Sequence, residues 1–84
     1  MLKRYGKHRV LHLINATSTD GAIATLTTSD RPVSSSFAAI AIRGSATANL
    51  YASVDKNGNV IAWNNGKRQS ATSAIIGTLE WYVS

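Results

Sequence analysis

Few residues in this chain have the type and spacing to do chemistry. His8 and His12 stand four positions apart, the separation that puts two imidazoles on one face of a helix at metal-binding distance. The surrounding Val10-Leu11-His12-Leu13-Ile14 has the pattern of a strand, where four residues span ~13 Å, too far for one ion to bridge. The pair therefore reads as histidines at a core edge or an interface. Serine is abundant, but no Gly-x-Ser-x-Gly elbow accompanies it, and a nucleophile would still need a base placed by the fold. Asp55 and Glu80 could in principle make a carboxylate pair. Asp55 heads a tight turn, where its side chain is better used on nearby backbone. Gly58 and Gly66 fall in hairpin turns, and neither precedes a helix whose N-terminus would hold a phosphate. The four acids, Asp20, Asp30, Asp55 and Glu80, show no metal-ligand spacing. Neither a metal nor a cofactor is expected, and the chain reads as a binding or assembly domain rather than an enzyme.

The aromatic residues say more. Trp63 is followed directly by Asn64-Asn65-Gly66-Lys67-Arg68, so an indole, two amides and two cations share one turn. An indole can cover the apolar face of a sugar while amides and a guanidinium satisfy hydroxyls or an acidic group. Trp63, Asn64, Asn65 and Arg68 are thus the candidate ligand-binding residues, with Tyr51 beside them. The competing reading is a core tryptophan followed by an ordinary solvated hairpin. Trp81, between Leu79 and Val83, reads as core or subunit contact. Tyr51 and Tyr82 fall on the faces opposite Leu50 and Trp81, as exposed contacts or oligomer packing.

The elements that must position these residues are strands. Ser, Thr, Ala, Ile, Val and Asn dominate, and turn signals recur about every ten residues, as in a sandwich or barrel. The alternation predicts strands at 9–16, 22–28, 37–43, 49–55, 59–63 and 75–83, and a single domain over residues 1–84. Asn15 to Gly21 and Ser29 to Ser35 read as loops, the second around Asp30-Arg31-Pro32, because proline removes a ladder donor. Asp55-Lys56-Asn57-Gly58 is the clearest hairpin signal and should bring Val54 opposite Val60. Asn64-Asn65-Gly66 makes a second turn, and one helical turn is expected near Gln69 to Ala74.

At 84 residues the chain can build one thin core, and cores of this size seldom supply more than ~3–5 kcal/mol alone. With no cysteine and no metal spacing, oligomerisation is the remaining support. Nine Lys and Arg against four acids give a net charge of +5, which raises nucleic acid as a partner. Lys3, Arg4, Lys7 and Arg9 crowd the first nine residues, as in a solvated basic end, apart from Tyr51 and Trp81. Nucleic-acid binding is accordingly the third reading. No apolar run reaches the ~20 residues of a membrane-spanning helix, and Met1-Leu2-Lys3-Arg4 is not followed by the apolar stretch of a signal peptide, so no membrane insertion is expected. Strands close to both ends of the chain are expected of a module placed at the end of a longer protein.

The order of motifs resembles that of C-terminal receptor-binding or fibre-tip domains of bacteriophage tail proteins. The resemblance rests on Lys3-Arg4-Tyr5-Gly6 before Val10-Leu11-His12-Leu13, then Ile23-Ala24-Thr25-Leu26 and Arg31-Pro32. It continues with Tyr51-Ala52-Ser53-Val54-Asp55-Lys56-Asn57-Gly58-Asn59-Val60 and a closing Gly77-Thr78-Leu79-Glu80-Trp81-Tyr82. Thr27-Thr28-Ser29-Asp30 departs from it, standing where such domains carry proline, glycine and an aromatic. The resemblance implies an all-β fold, a small antiparallel β-sandwich or barrel. It also implies a three-fold homotrimer at a virion tail tip, made in the host cytoplasm and acting outside the cell on host-surface saccharides. Binding residues in that family vary with the host, so it transfers no position to this chain. A purely structural trimerisation or capping domain is the second reading, separated from the first by whether the domain binds any glycan.

Overall fold

The computed structural model describes residues 1–43 and 50–84, with the side chains of Ser73 and Ala74 left aside. The chain is all β: one antiparallel sheet curls into a half-barrel around its own concave face. The strands are β1 (Leu2–Tyr5), β2 (His8–Ser18), β3 (Ala22–Thr25), β4 (Ser36–Ile42), β5 (Leu50–Val54), β6 (Asn59–Asn64), β7 (Lys67–Arg68) and β8 (Ala71–Tyr82). Their order across the sheet is β1-β2-β8-β4-β5-β6-β3, with the short β7 beside β3 on the far edge of β6.

β4 makes the curl. Its first half, Ser36 to Ala39, pairs with β5, and its second half, Ile40 to Ile42, pairs with β8. Where β4 turns away from β8, the Ser36 hydroxyl donates to the Glu80 carbonyl at 2.6 Å, a side chain standing in for a ladder bond. The concave face carries the core: Leu11 and Leu13 of β2, Ile40 of β4, Leu50, Ala52 and Val54 of β5, Val60 and Ala62 of β6, Ile75, Leu79 and Trp81 of β8. Strict alternation on β5 and β8 puts these side chains inward, as expected, and leaves Ile76, Thr78, Glu80 and Tyr82 outward. Trp81 is core, 3% exposed.

One end of the half-barrel is closed by the segment between β3 and β4. A single 3-10 turn at Thr28–Asp30 lies between buried Leu26 and Pro32, and Asp30 itself is 1% exposed. Its carboxylate accepts from Arg4 Nε at 2.8 Å and Nη2 at 2.6 Å, from Arg9 Nε at 2.8 Å and from the Thr27 hydroxyl at 3.0 Å. Its carbonyl accepts from Trp81 Nε1 at 2.7 Å. The loop expected at 29–35 is therefore a plug, held by charge-assisted bonds that let a carboxylate lie inside.

The hairpin at Asp55-Lys56-Asn57-Gly58 forms with Val54 opposite Val60. Gly58 N–H donates to Asp55 O at 2.9 Å, and the Asp55 carboxylate accepts from the backbone of Asn57 and Asn59. The positive φ falls on Gly58 alone (+81°), as in a turn closed by a one-residue bulge. Asn65-Gly66 makes the tighter form, both residues at positive φ, with Asn64 paired to Lys67.

Four expectations need correction. The basic N-terminal segment is solvent-exposed from Lys3 to Lys7 but is not a free end: Leu2–Tyr5 is a strand, and Arg4 and Arg9 point to Asp30. The loop begun at Asn15 is strand as far as Ser18. Asn15 takes φ +54° in a bulge, after which pairing resumes with Ala16 opposite Ile75, and the turn shrinks to Thr19–Ala22. The strand from Ala22 ends at Thr25, where Leu26 turns inward and donates its N–H to Gly58 O. Gln69–Ala74 is not a helical turn, since β8 begins at Ala71 with Ser18 as its partner. The expected strand end at Gly44-Ser45 and start at Asn49 lie outside the described residues.

Candidate functional site: an aromatic row on the convex face

The convex face of the sheet is the one that strand alternation leaves open. Register carries one line of side chains across it. Ala39 of β4 lies opposite Tyr51 of β5, Tyr51 opposite Trp63 of β6, and Trp63 opposite Arg68 of β7. Phe37, two residues back on β4, is the diagonal neighbour of Tyr51. The Tyr51 and Trp63 rings are nearly parallel (14°) with centroids 6.3 Å apart, and Phe37 stands 6.2 Å from Tyr51, tilted by 57°. The Arg68 guanidinium lies over the indole, 5.9 Å from its centroid, within reach of a cation–π attraction.

These contacts fix which ring is free. Trp63 is half-buried, flanked by Tyr51 on the β5 side and Arg68 on the β7 side, and its Nε1 donates to the Ser53 hydroxyl at 2.8 Å. Phe37 is 65% exposed and ends the row. Arg68 is held in place by its stem, which packs against the Gly21 backbone, and by one bond from Nη1 to Asp20 O at 3.3 Å. Among the described residues, one of its five N–H donors is engaged.

Of the residues singled out by sequence, Tyr51, Trp63 and Arg68 come together. Asn65 is at the exposed tip of the β6–β7 turn. Asn64 does not join them: alternation turns it to the concave side, where Nδ2 donates to Gln69 Oε1 at 3.3 Å. Phe37 was missed, because its own strand offers only Ala39 and Ala41 beside it and the partner that matters lies on β5. Tyr51 and Arg68 lie on opposite sides of Trp63, two strands apart.

A second aromatic group lies at the other end of the convex face. His8 stacks on Tyr82 with centroids 4.9 Å apart, Tyr5 stands 6.2 Å away, and His8 Nε2 is 3.6 Å from a Glu80 carboxylate oxygen. His12 contacts the Thr78 hydroxyl at 3.3 Å. The two histidines thus have separate partners on β8.

Protein-family models, curated protein sequences and solved structures yield no match to this chain.

Proposed function

We propose that this chain is a saccharide-binding adhesion module of a phage or prophage tail tip, working as a homotrimer on the host surface. The observation that carries the reading is the row Phe37–Tyr51–Trp63–Arg68 on an open sheet face: consecutive rings for the apolar faces of a glycan, ended by a guanidinium for hydroxyl or acidic groups. Large apolar side chains left on the surface, Ile14, Phe37, Ile76 and Tyr82, support subunit contact or ligand contact in a chain with no cysteine. Three weak sites on one trimer multiply into usable avidity. The reading is of a binder without catalysis: Asp30 is committed to two arginines and Asp55 to its own turn. The resemblance of the motif order to that of fibre-tip domains supports the placement at a tail. Glycan-array binding and adhesion to bacterial cells test it, and persistent silence of the folded protein on both would leave the capping role.

A second reading has one observation in its favour. Arg68 lies over Trp63 at the end of the aromatic row, in a chain with net charge +5, an arrangement that suits single-stranded nucleic acid. Titration with single-stranded DNA at increasing salt separates the two, because phosphate contacts give a steep loss of affinity with salt and neutral sugar contacts do not.

A further inference from the structure

The departure of β4 from β8 leaves a notch that the aromatic row does not use. It is an open pocket of about 270 Å³ lined by residues 33–36 on one side and 80–82 on the other. Its walls are clamped at both ends. Val33 N–H donates to Tyr82 O at 3.0 Å, and the Ser36 hydroxyl donates to Glu80 O at 2.6 Å, with Ser34 and Ser35 arching between the two bonds.

We propose that this notch is a second saccharide subsite, selective for a neutral or amino-bearing sugar ring. The inference rests on the saccharide reading and adds the class of sugar. The lining has two characters. Val33 is 52% exposed on one side, and Tyr82 is 62% exposed on the other with His8 stacked against its ring, so each side carries one apolar side chain. Ser34 and Ser35 are exposed and make no side-chain hydrogen bond to the described residues, and the Glu80 carboxylate is 63% exposed, more than ordinary hydrogen-bond distance from His8. Hydroxyls, a carboxylate and an aromatic ring around one notch match the polar edge and apolar face of one pyranose. The volume suits one ring rather than a chain of them. Among the described residues no lysine or arginine lines the notch, and Glu80 repels an anion, so a uronate or a phosphate is disfavoured. Phe37 follows Ser36 directly and shares the convex face with Glu80 and Tyr82, so one glycan can occupy notch and row together.

Amide-resolved NMR titration of the full chain with methyl glucoside, glucosamine and glucuronate, each into the millimolar range, tests this. The expected result is chemical-shift change at residues 33–36 and 80–82 with the first two sugars, at least five-fold weaker saturation with glucuronate, and loss of the response in Tyr82→Ala. Glu80→Gln should reduce the preference for glucosamine over methyl glucoside, while the spectrum away from the notch stays that of the native fold. Changes confined to Phe37, Tyr51 and Trp63 would overturn the subsite and leave the function reading standing. Equal response to glucuronate would overturn the selectivity. An absence of response to all three would overturn the notch, whatever the outcome with whole glycans.

Discussion

Trp81 donates its indole N–H to the backbone carbonyl of Asp30 at 2.7 Å, while the carboxylate of the same residue takes Arg4 and Arg9. The closing strand, the N-terminal hairpin and the plug thus meet on one aspartate. The arginine bonds hold its carboxyl well below the ordinary value, outweighing the burial that pushes the other way.

Stability should therefore depend on Asp30 in a pH-dependent manner. Its contribution is complete above the unfolded carboxylate value of about 3.9 and is lost as pH falls below that value. One of its two arginine partners, Arg4, is more than half exposed, which screens that pair, so the cost of Asp30→Asn at neutral pH should be about 2–4 kcal/mol. Denaturant unfolding at pH 7 and pH 3 checks this: the gap between mutant and native protein should narrow at pH 3.

Gly58→Val should destabilise by at least ~1–3 kcal/mol. The backbone there is at φ +81°, and an added Cβ would meet Leu26 O at 2.9 Å, so strain and overlap act together. Asn57→Ala should cost less, since Asn57 is not at positive φ and lends the turn only its backbone N–H. Melting temperatures of the two variants provide the comparison.

Trp63→Ala should lower stability by about 1–3 kcal/mol, because it removes a half-buried ring, its stacking and the bond to Ser53. Phe37→Ala, at an exposed ring, should stay within about 0.5 kcal/mol. Loss of binding in the first variant alone would therefore mix folding with recognition, and Phe37 is the cleaner probe.

Light scattering should find a trimer at micromolar concentration. A stable folded monomer under those conditions would contradict the assembly part of the proposal.

The parts of this fold legible in the sequence are those with local causes. Alternation on 50–54 and 75–82 set the inward faces, and Asp55-Lys56-Asn57-Gly58 set one hairpin register. What escaped was decided across the sheet. Leu2–Tyr5 has little strand pattern of its own and is held by pairing to β2 and by Arg4 on Asp30. Asn15 has the type of a turn residue, and only the continued pairing of Ala16 and Ser18 makes it a bulge. The site divides in the same way. Trp63 and Arg68 flank a two-residue turn, and so their meeting could be read locally. Phe37 joins through β5, and the notch exists because β4 changes partners, neither of which a linear pattern encodes.

The proposed recognition of a glycan by the row Phe37–Tyr51–Trp63–Arg68 is tested most directly by binding of the protein to a responsive glycan surface beside its Phe37→Ala variant. Phe37→Ala should bind at least ~10-fold more weakly at unchanged melting temperature, and the native interaction should change little between low and moderate salt. Undiminished binding by the folded variant, or binding that collapses with salt in the native protein, would contradict it.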